Sequence, residues 1–222
     1  MSRFTPITPE LLADRLTELC DERHSGAAPL RVALDAPACA DLAVPIRLLA
    51  AGLQAAGRPV AVLDATTFYR DASLRLEHGR TDVDSFYSGW LDLAALRREV
   101  LDPVVADGRY LPSLRDPGTN RSTRAGPESL PAAGVLLVHG ELLLGAGLPF
   151  DLTVHAAVSR QARKRLTAED LRWTLPAFDR YDLEVDPAGT ADVVIRYDDA
   201  RRPALLVRQP REAVNPLPPA SC

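Results

Sequence analysis

The chain has 222 residues, is 46% hydrophobic and 25% charged, and carries a formal net charge of -4. That is the balance of a globular protein large enough to bury a substantial core in one domain. No basic run stands out, which argues against nucleic acid as a partner. No stretch approaches the roughly 18 apolar residues of a membrane span, so no membrane association is expected. The three cysteines, Cys20, Cys39 and Cys222, are far apart and form no CxxC pair. A structural zinc site is therefore not expected, and so sparse a set suits a reducing cytoplasm. The first residues lack the apolar run of a signal peptide.

Thr8 followed by Pro9 is a helix start, and Leu11, Leu12, Leu16 and Leu19 follow at helical spacing. This predicts a leading helix within residues 1–28, ahead of the core. Arg31–Asp35 reads as a buried strand, Ile46–Ala56 as a helix closed by Gly57, and Pro59–Asp64 as a second strand. Strand, loop, helix, strand is the signature of a parallel α/β unit. Residues 91–101 read as an amphipathic helix. Residues 109–134 are rich in Pro and Gly and read as an insert, either an extended hairpin or a mobile loop. Gly134–His139 and Asp151–Val158 are buried strands of parallel-sheet character. Ser159–Trp173 reads as one helix rich in Arg and Lys. Ala191–Arg196 is a last core strand, Ala204–Arg208 an edge strand, and the Pro-rich tail from Pro210 reads as disordered. The main domain is thus expected over 29–202, with strand and tail over 203–222.

Between the first strand and its helix lies DAPACADLA, Asp35–Ala43. A phosphate-binding loop in such a place reads G-x-x-x-x-G-K-[ST]. Its glycines let backbone N–H groups curl around the phosphates, its Lys reaches the outer phosphates, and its hydroxyl holds magnesium. By spacing, Ala36 and Asp41 stand at the glycines, Leu42 at the lysine and Ala43 at the hydroxyl. Pro37, Ala38, Cys39 and Ala40 fill the loop between them.

Six further segments carry a resemblance. They are TFYR (Thr67–Arg70), GRTDVDSFY (Gly79–Tyr87), LAALRREVLDPV (Leu93–Val104), VLLVHGELLL (Val135–Leu144), RYDLEVDP (Arg180–Pro187) and ADVVIRYDD (Ala191–Asp199). In order and spacing over residues 30–200 they resemble the uridine kinase-like family of P-loop NTPases. The resemblance implies a three-layer α/β fold with a mostly parallel sheet, and a crevice beyond the carboxyl ends of its strands. In an active member it also implies ATP, magnesium and transfer of the γ-phosphate to a nucleoside 5′-hydroxyl.

The departures from the family fall on the chemistry. The position of the family's general base, a carboxylate, is Thr66 here. A hydroxyl titrating far above neutrality cannot replace it. Asp64 shares the strand face two residues earlier and is the candidate substitute. The family's acidic position near magnesium is His139, so no metal ligand is expected there. Losing a Lys near a phosphate removes an attraction of roughly 4 kcal/mol at an effective dielectric of ~20, and Asp41 pointing inward adds a comparable repulsion. Pro37 removes a backbone donor, Pro45 is expected to delay the helix, and Asp41 to cap it. The basic helix, with Arg160, Arg163, Lys164 and Arg165, corresponds to the family's phosphate-clamping lid, or else is a solvated basic face. Arg80 and Tyr87 fall in the segment like the family's substrate region. His155 reads as a satisfied core histidine, and Trp90 and Trp173 as packing residues.

Three functions follow as expectations. The first is a degenerate homologue, a pseudokinase, that binds a nucleoside, a phosphorylated small molecule or another anion, or a protein partner. The second is a nucleoside kinase that uses ATP and magnesium with non-standard residues. The third is a scaffold whose crevice is closed.

Overall fold

The computed structural model describes residues 4–208. The chain runs β1 (Thr5–Pro6), α1 (Pro9–Arg23), β2 (Leu30–Asp35), α2 (Ala43–Ala55), β3 (Val60–Asp64), α3 (Ala72–Arg75), α4 (Val83–Gly89), α5 (Leu93–Leu96), α6 (Asp102–Ala106), β4 (Arg109–Tyr110), β5 (Glu128–Ser129), β6 (Val135–Gly140), β7 (Leu152–Ala157), α7 (Arg160–Leu166), α8 (Leu175–Glu184), α9 (Pro187–Thr190), β8 (Val193–Arg196) and β9 (Ala204–Val207). Seven strands form one sheet in the order β1-β9-β8-β7-β2-β6-β3. The five strands from β8 to β3 are parallel, and β9 and β1 add an antiparallel border.

Alternate residues of the strands feed opposite layers. Val32, Leu34, Val135 and Leu137 pack with Leu12, Leu16, Leu49 and Leu53 of α1 and α2. Leu136 and Val138 pack on the other side with Leu96, Val100, Leu101 and Val104. Helices on both faces explain why Val135–Val138 read as a continuous apolar run. Each such side chain, fully buried, contributes roughly 1.5–3 kcal/mol. The α1 helix is capped as expected, the Thr8 hydroxyl accepting from Leu11 N–H. It is not a leader ahead of the core, because Leu12, Leu16 and Leu19 lie inside it, although Leu11 is exposed.

Several boundaries differ from the sequence reading. The α2 helix starts at Ala43, not after Pro45. Pro45 sits in the first turn, where a backbone N–H has no intrahelical acceptor to lose. The helix expected over 91–101 starts at Leu93, capped by Asp92, and widens into a π-turn over Arg97–Leu101. Pro103 cannot donate to the Glu99 carbonyl, and Leu111 N–H donates to it instead. The basic helix ends at Leu166, followed by extended Thr167 and Ala168 and a 3-10 turn over Glu169–Thr174. No Gly or Pro marks that break. The β9 strand is not at the edge; β1 covers it. Within 109–134, β4 and β5 pair antiparallel. The tail from Pro210 lies outside the described residues. Among the described residues, no helix is long and apolar enough to cross a membrane.

Candidate functional site

The carboxyl ends of β2, β6 and β3 lie side by side, with Asp35 in register with Gly140, and Asp64 with His139. Beyond them a cavity of about 380 Å³ opens between the Ala36–Leu42 loop, the residues after β6 and the turn after β3. The loop sits between strand and helix at the place the sequence assigns to it. Ala36 N–H donates to the Gly140 carbonyl at 2.9 Å, and Ala38–Ala40 make one 3-10 turn. Asp41, at the second glycine position, has φ 23°. A positive φ is where the family pattern puts a glycine, and Asp tolerates it better than most residues.

The electrostatics of this cavity are reversed from those of a phosphate site. Among the described residues no Lys or Arg lines it; Asp41, Asp64, Glu141 and His139 do. Leu42, at the lysine position, packs on the core. Asp41 Oδ1 accepts from Ala43 N–H at 3.2 Å in a turn just before α2, but the N-cap position is Leu42, whose side chain caps nothing, so Asp41 is not the cap the sequence suggested. Glu141 Oε1 accepts from Ala38 N–H at 2.7 Å. A backbone donor of the loop thus points at a carboxylate of the protein itself. Burial pushes the Glu141 carboxyl up to about 7, with the nearby Asp35 and Asp64 charges adding to it and the Ala38 N–H opposing. Burial lowers the His139 imidazole against the pull of Asp64.

Asp64 and Thr66 both line the cavity, and Asp64 Oδ1 accepts from Thr66 N–H at 2.9 Å. That bond caps the 3-10 turn at Ala65–Phe68. Asp35 is buried and fully engaged. Its Oδ1 accepts from Leu143 N–H at 2.8 Å; its Oδ2 accepts from Tyr181 Oη at 3.1 Å and lies 2.7 Å from His155 Nδ1. His155 is the satisfied core histidine the sequence suggested.

Two of the four cations of the basic helix α7, Arg160 and Arg163, are paired with carboxylates. Arg163 is buried, and its guanidinium reaches Asp182 at 2.5 Å and Asp179 at 3.2 Å. Exposed Arg160 also bonds Asp179, and Arg165 donates to the Asp198 carbonyl. Lys164 is exposed. Arg80 is exposed, outside both cavities described here. Tyr87 Oη donates to Glu184 at 3.0 Å while Arg180 stacks on its ring. The expected site residues therefore divide: most of the loop, Asp64, Thr66 and His139 meet in one cavity, whereas Arg80, Tyr87, Arg160, Arg163, Lys164 and Arg165 do not.

A second cavity, of about 360 Å³, adjoins the first across Pro37, Ala38 and Glu141. Its walls include Tyr69, Phe86, Trp90, Trp173 and Phe178, with Cys39 and Arg163 at the loop side. The rings contact edge to face or tilted, with centroids 5.2 to 6.0 Å apart. Burial pushes the Cys39 thiol up, which makes it a poor nucleophile. Sequence reasoning missed Glu141, which directly follows the His139-Gly140 pair, and it treated both tryptophans as packing alone.

No protein-family model and no curated protein matches the chain. Solved structures do match. A possible uridine kinase from Bacillus stearothermophilus superposes with a TM-score of 0.66 at 19% identity, over 83% of this chain and 98% of that one. A candidate fructose transport system kinase from a Silicibacter species gives 0.57 at 19%, over 79% and 90%. A D-glycerate 3-kinase from Cryptococcus neoformans gives 0.46 at 16%, over 82% and 70%. With strand order, parallel pairing and loop position as described, this chain has the fold of the P-loop kinases.

Proposed function

We propose that this chain is a P-loop kinase-fold protein that does not transfer phosphate and instead holds a small organic molecule in the aromatic-walled cavity beside its altered loop. The observation that carries this reading is the Glu141–Ala38 bond in a cavity that no Lys or Arg lines among the described residues. A phosphate there would lose the attraction of a missing Lys and meet one or more carboxylates. Each term is of the order of 4 kcal/mol for unit charges ~4 Å apart at an effective dielectric of ~20. The aromatic cavity next to it has the size and apolar walls of a small-molecule site. A nucleoside is one ligand of that class. A cytoplasmic location fits the sparse cysteines.

The test is calorimetry with Mg-ATP and with uridine. Millimolar Mg-ATP is expected to give no binding heat, and a dissociation constant in the low micromolar range overturns the reading. The rival reading, a nucleoside kinase with Asp64 as its base, draws on the placement of Asp64 beside Thr66 in the first cavity. Transfer of the γ-phosphate of ATP to uridine, measured by product formation, decides between them; none is expected.

A further inference from the structure

Five rings stand around the second cavity, and both tryptophans of the chain are among them. Such rings present a negative face and attract a cation placed over it. The cluster already holds one outside the cavity: the Arg75 guanidinium lies 4.8 Å from the Trp90 ring centroid and 5.3 Å from that of Tyr69. The charge facing the cavity has the same preference. Among the described residues its lining carries one cation, Arg163, which lies 5.8 Å from the Phe178 ring centroid and whose charge is met by Asp179 and Asp182. It also carries one carboxylate, Glu141, with no cation bonded to it among the described residues. Asp35 and Asp64 add negative field at Glu141. Glu141 Oε1 is taken by Ala38 N–H, and Oε2 bonds to none of the described residues. A second polar atom is also unused: Trp90 Nε1–H is buried without an acceptor among the described residues. Aromatic faces beside a carboxylate with no bonded cation disfavour phosphates and carboxylates and suit the opposite charge.

We infer that this cavity is a site for an organic cation, a protonated or quaternary amine on an apolar body, with its charge against Glu141 and its body among Phe86, Trp90, Trp173 and Phe178. The inference rests on the reading that the neighbouring loop no longer holds a phosphate. It goes beyond that reading by fixing the ligand's charge.

The experiment titrates the full chain near pH 8 with four probes of one shape class: phenethylamine, benzyltrimethylammonium, 2-phenylethanol and phenylacetate. Both cations are expected to bind at least about tenfold tighter than the alcohol, and phenylacetate more weakly than the alcohol. Glu141→Gln should bring cation affinity down to that of the alcohol. Trp173→Leu, which keeps the carboxylate, should weaken benzyltrimethylammonium more than it weakens the alcohol. An alcohol or carboxylate that binds as well as the cations overturns the inference, and so does silence from all four. If the Gln variant does not fold, the probe series on the parent still decides. Mg-ATP is titrated in parallel. Tight ATP binding removes the underlying reading as well, whereas failure of the cations without ATP binding removes only this one.

Discussion

Replacing Glu141 by Gln removes a titrating group yet keeps the oxygen to which Ala38 N–H donates. The carboxyl is raised from 4.5 to about 7, by burial first and then by Asp35 and Asp64. A carboxyl raised on folding binds its proton more tightly in the folded state. Its stabilisation is complete below the unfolded value of 4.5 and is lost as pH rises through about 7. At about 1.4 kcal/mol per pH unit, the full shift corresponds to roughly 3 kcal/mol. Water entering the two cavities screens a half-buried group, so about 1 to 3 kcal/mol is the expected range. Denaturant titrations of parent and variant near pH 5 and near pH 8 measure it. Between those conditions the parent should lose about 1 to 3 kcal/mol more than Glu141→Gln. For a chain of this length that is a difference of roughly 2 to 10 °C in melting temperature. Parallel pH profiles would refute the argument, because Glu141 would then be ionised at little cost and the negative field ascribed to this cavity would be absent.

Arg163→Ala should destabilise the protein by about 1 to 3 kcal/mol in denaturant titration, because it empties a buried position, takes the cation from Asp182 and leaves Asp179 with Arg160 alone. Exposed Arg165→Ala should stay within about 0.5 kcal/mol of the parent, and equal losses would deny Arg163 its special place. Asp35→Asn should cost about 2 to 3 kcal/mol, since an amide cannot serve Leu143 N–H, Tyr181 Oη and His155 as a carboxylate does; an unchanged melting temperature counts against it. The fourfold loop change Ala36→Gly, Asp41→Gly, Leu42→Lys and Ala43→Thr should gain Mg-ATP binding only weakly until Glu141→Gln is added. A fourfold variant that already binds as well as the fivefold one would show that Glu141 does not compete for the loop.

The sheet was legible in the sequence because a parallel strand buried on both faces must be apolar throughout, as in Val135-Leu-Leu-Val138. The loop's place was legible too, since it follows from the strand and helix around it, and Asp41 has the backbone conformation its glycine position implies. Helix interiors at Pro103 and Thr167 were not legible. The first depends on a distant donor, Leu111, to take up a freed carbonyl, and the second carries no breaker residue at all. The candidate site was half legible. The substitutions at the loop positions could be read directly, and they underlie the proposal that phosphate is no longer transferred. The aromatic cavity, however, is assembled from Tyr69, Phe86, Trp90, Trp173 and Phe178, which come from three separate stretches of chain. Their meeting is a tertiary fact with no local spacing to betray it. Arg163 shows the same limit: its charge was visible, but its partners sixteen and nineteen residues away were not.

Asp35 ends the central strand, yet one of its bonds goes to Tyr181 on α8, whose hydroxyl also accepts from Leu144 N–H at 2.9 Å. Swinging α8 outward would strip a buried carboxylate and a buried amide of a partner at once, at a cost of about 1 to 3 kcal/mol for each. Helix α8 is therefore a fixed post. The other wall of the aromatic cavity is the short stretch between α7 and α8, where extended Thr167 and Ala168 lead into the 3-10 turn that carries Leu171 and Trp173. Residues 168–172 of that stretch are exposed, and none of them holds a buried carboxylate in place as Tyr181 does. Exchange of a ligand should then speed amide hydrogen exchange over residues 167–174 and leave residues 177–183 protected.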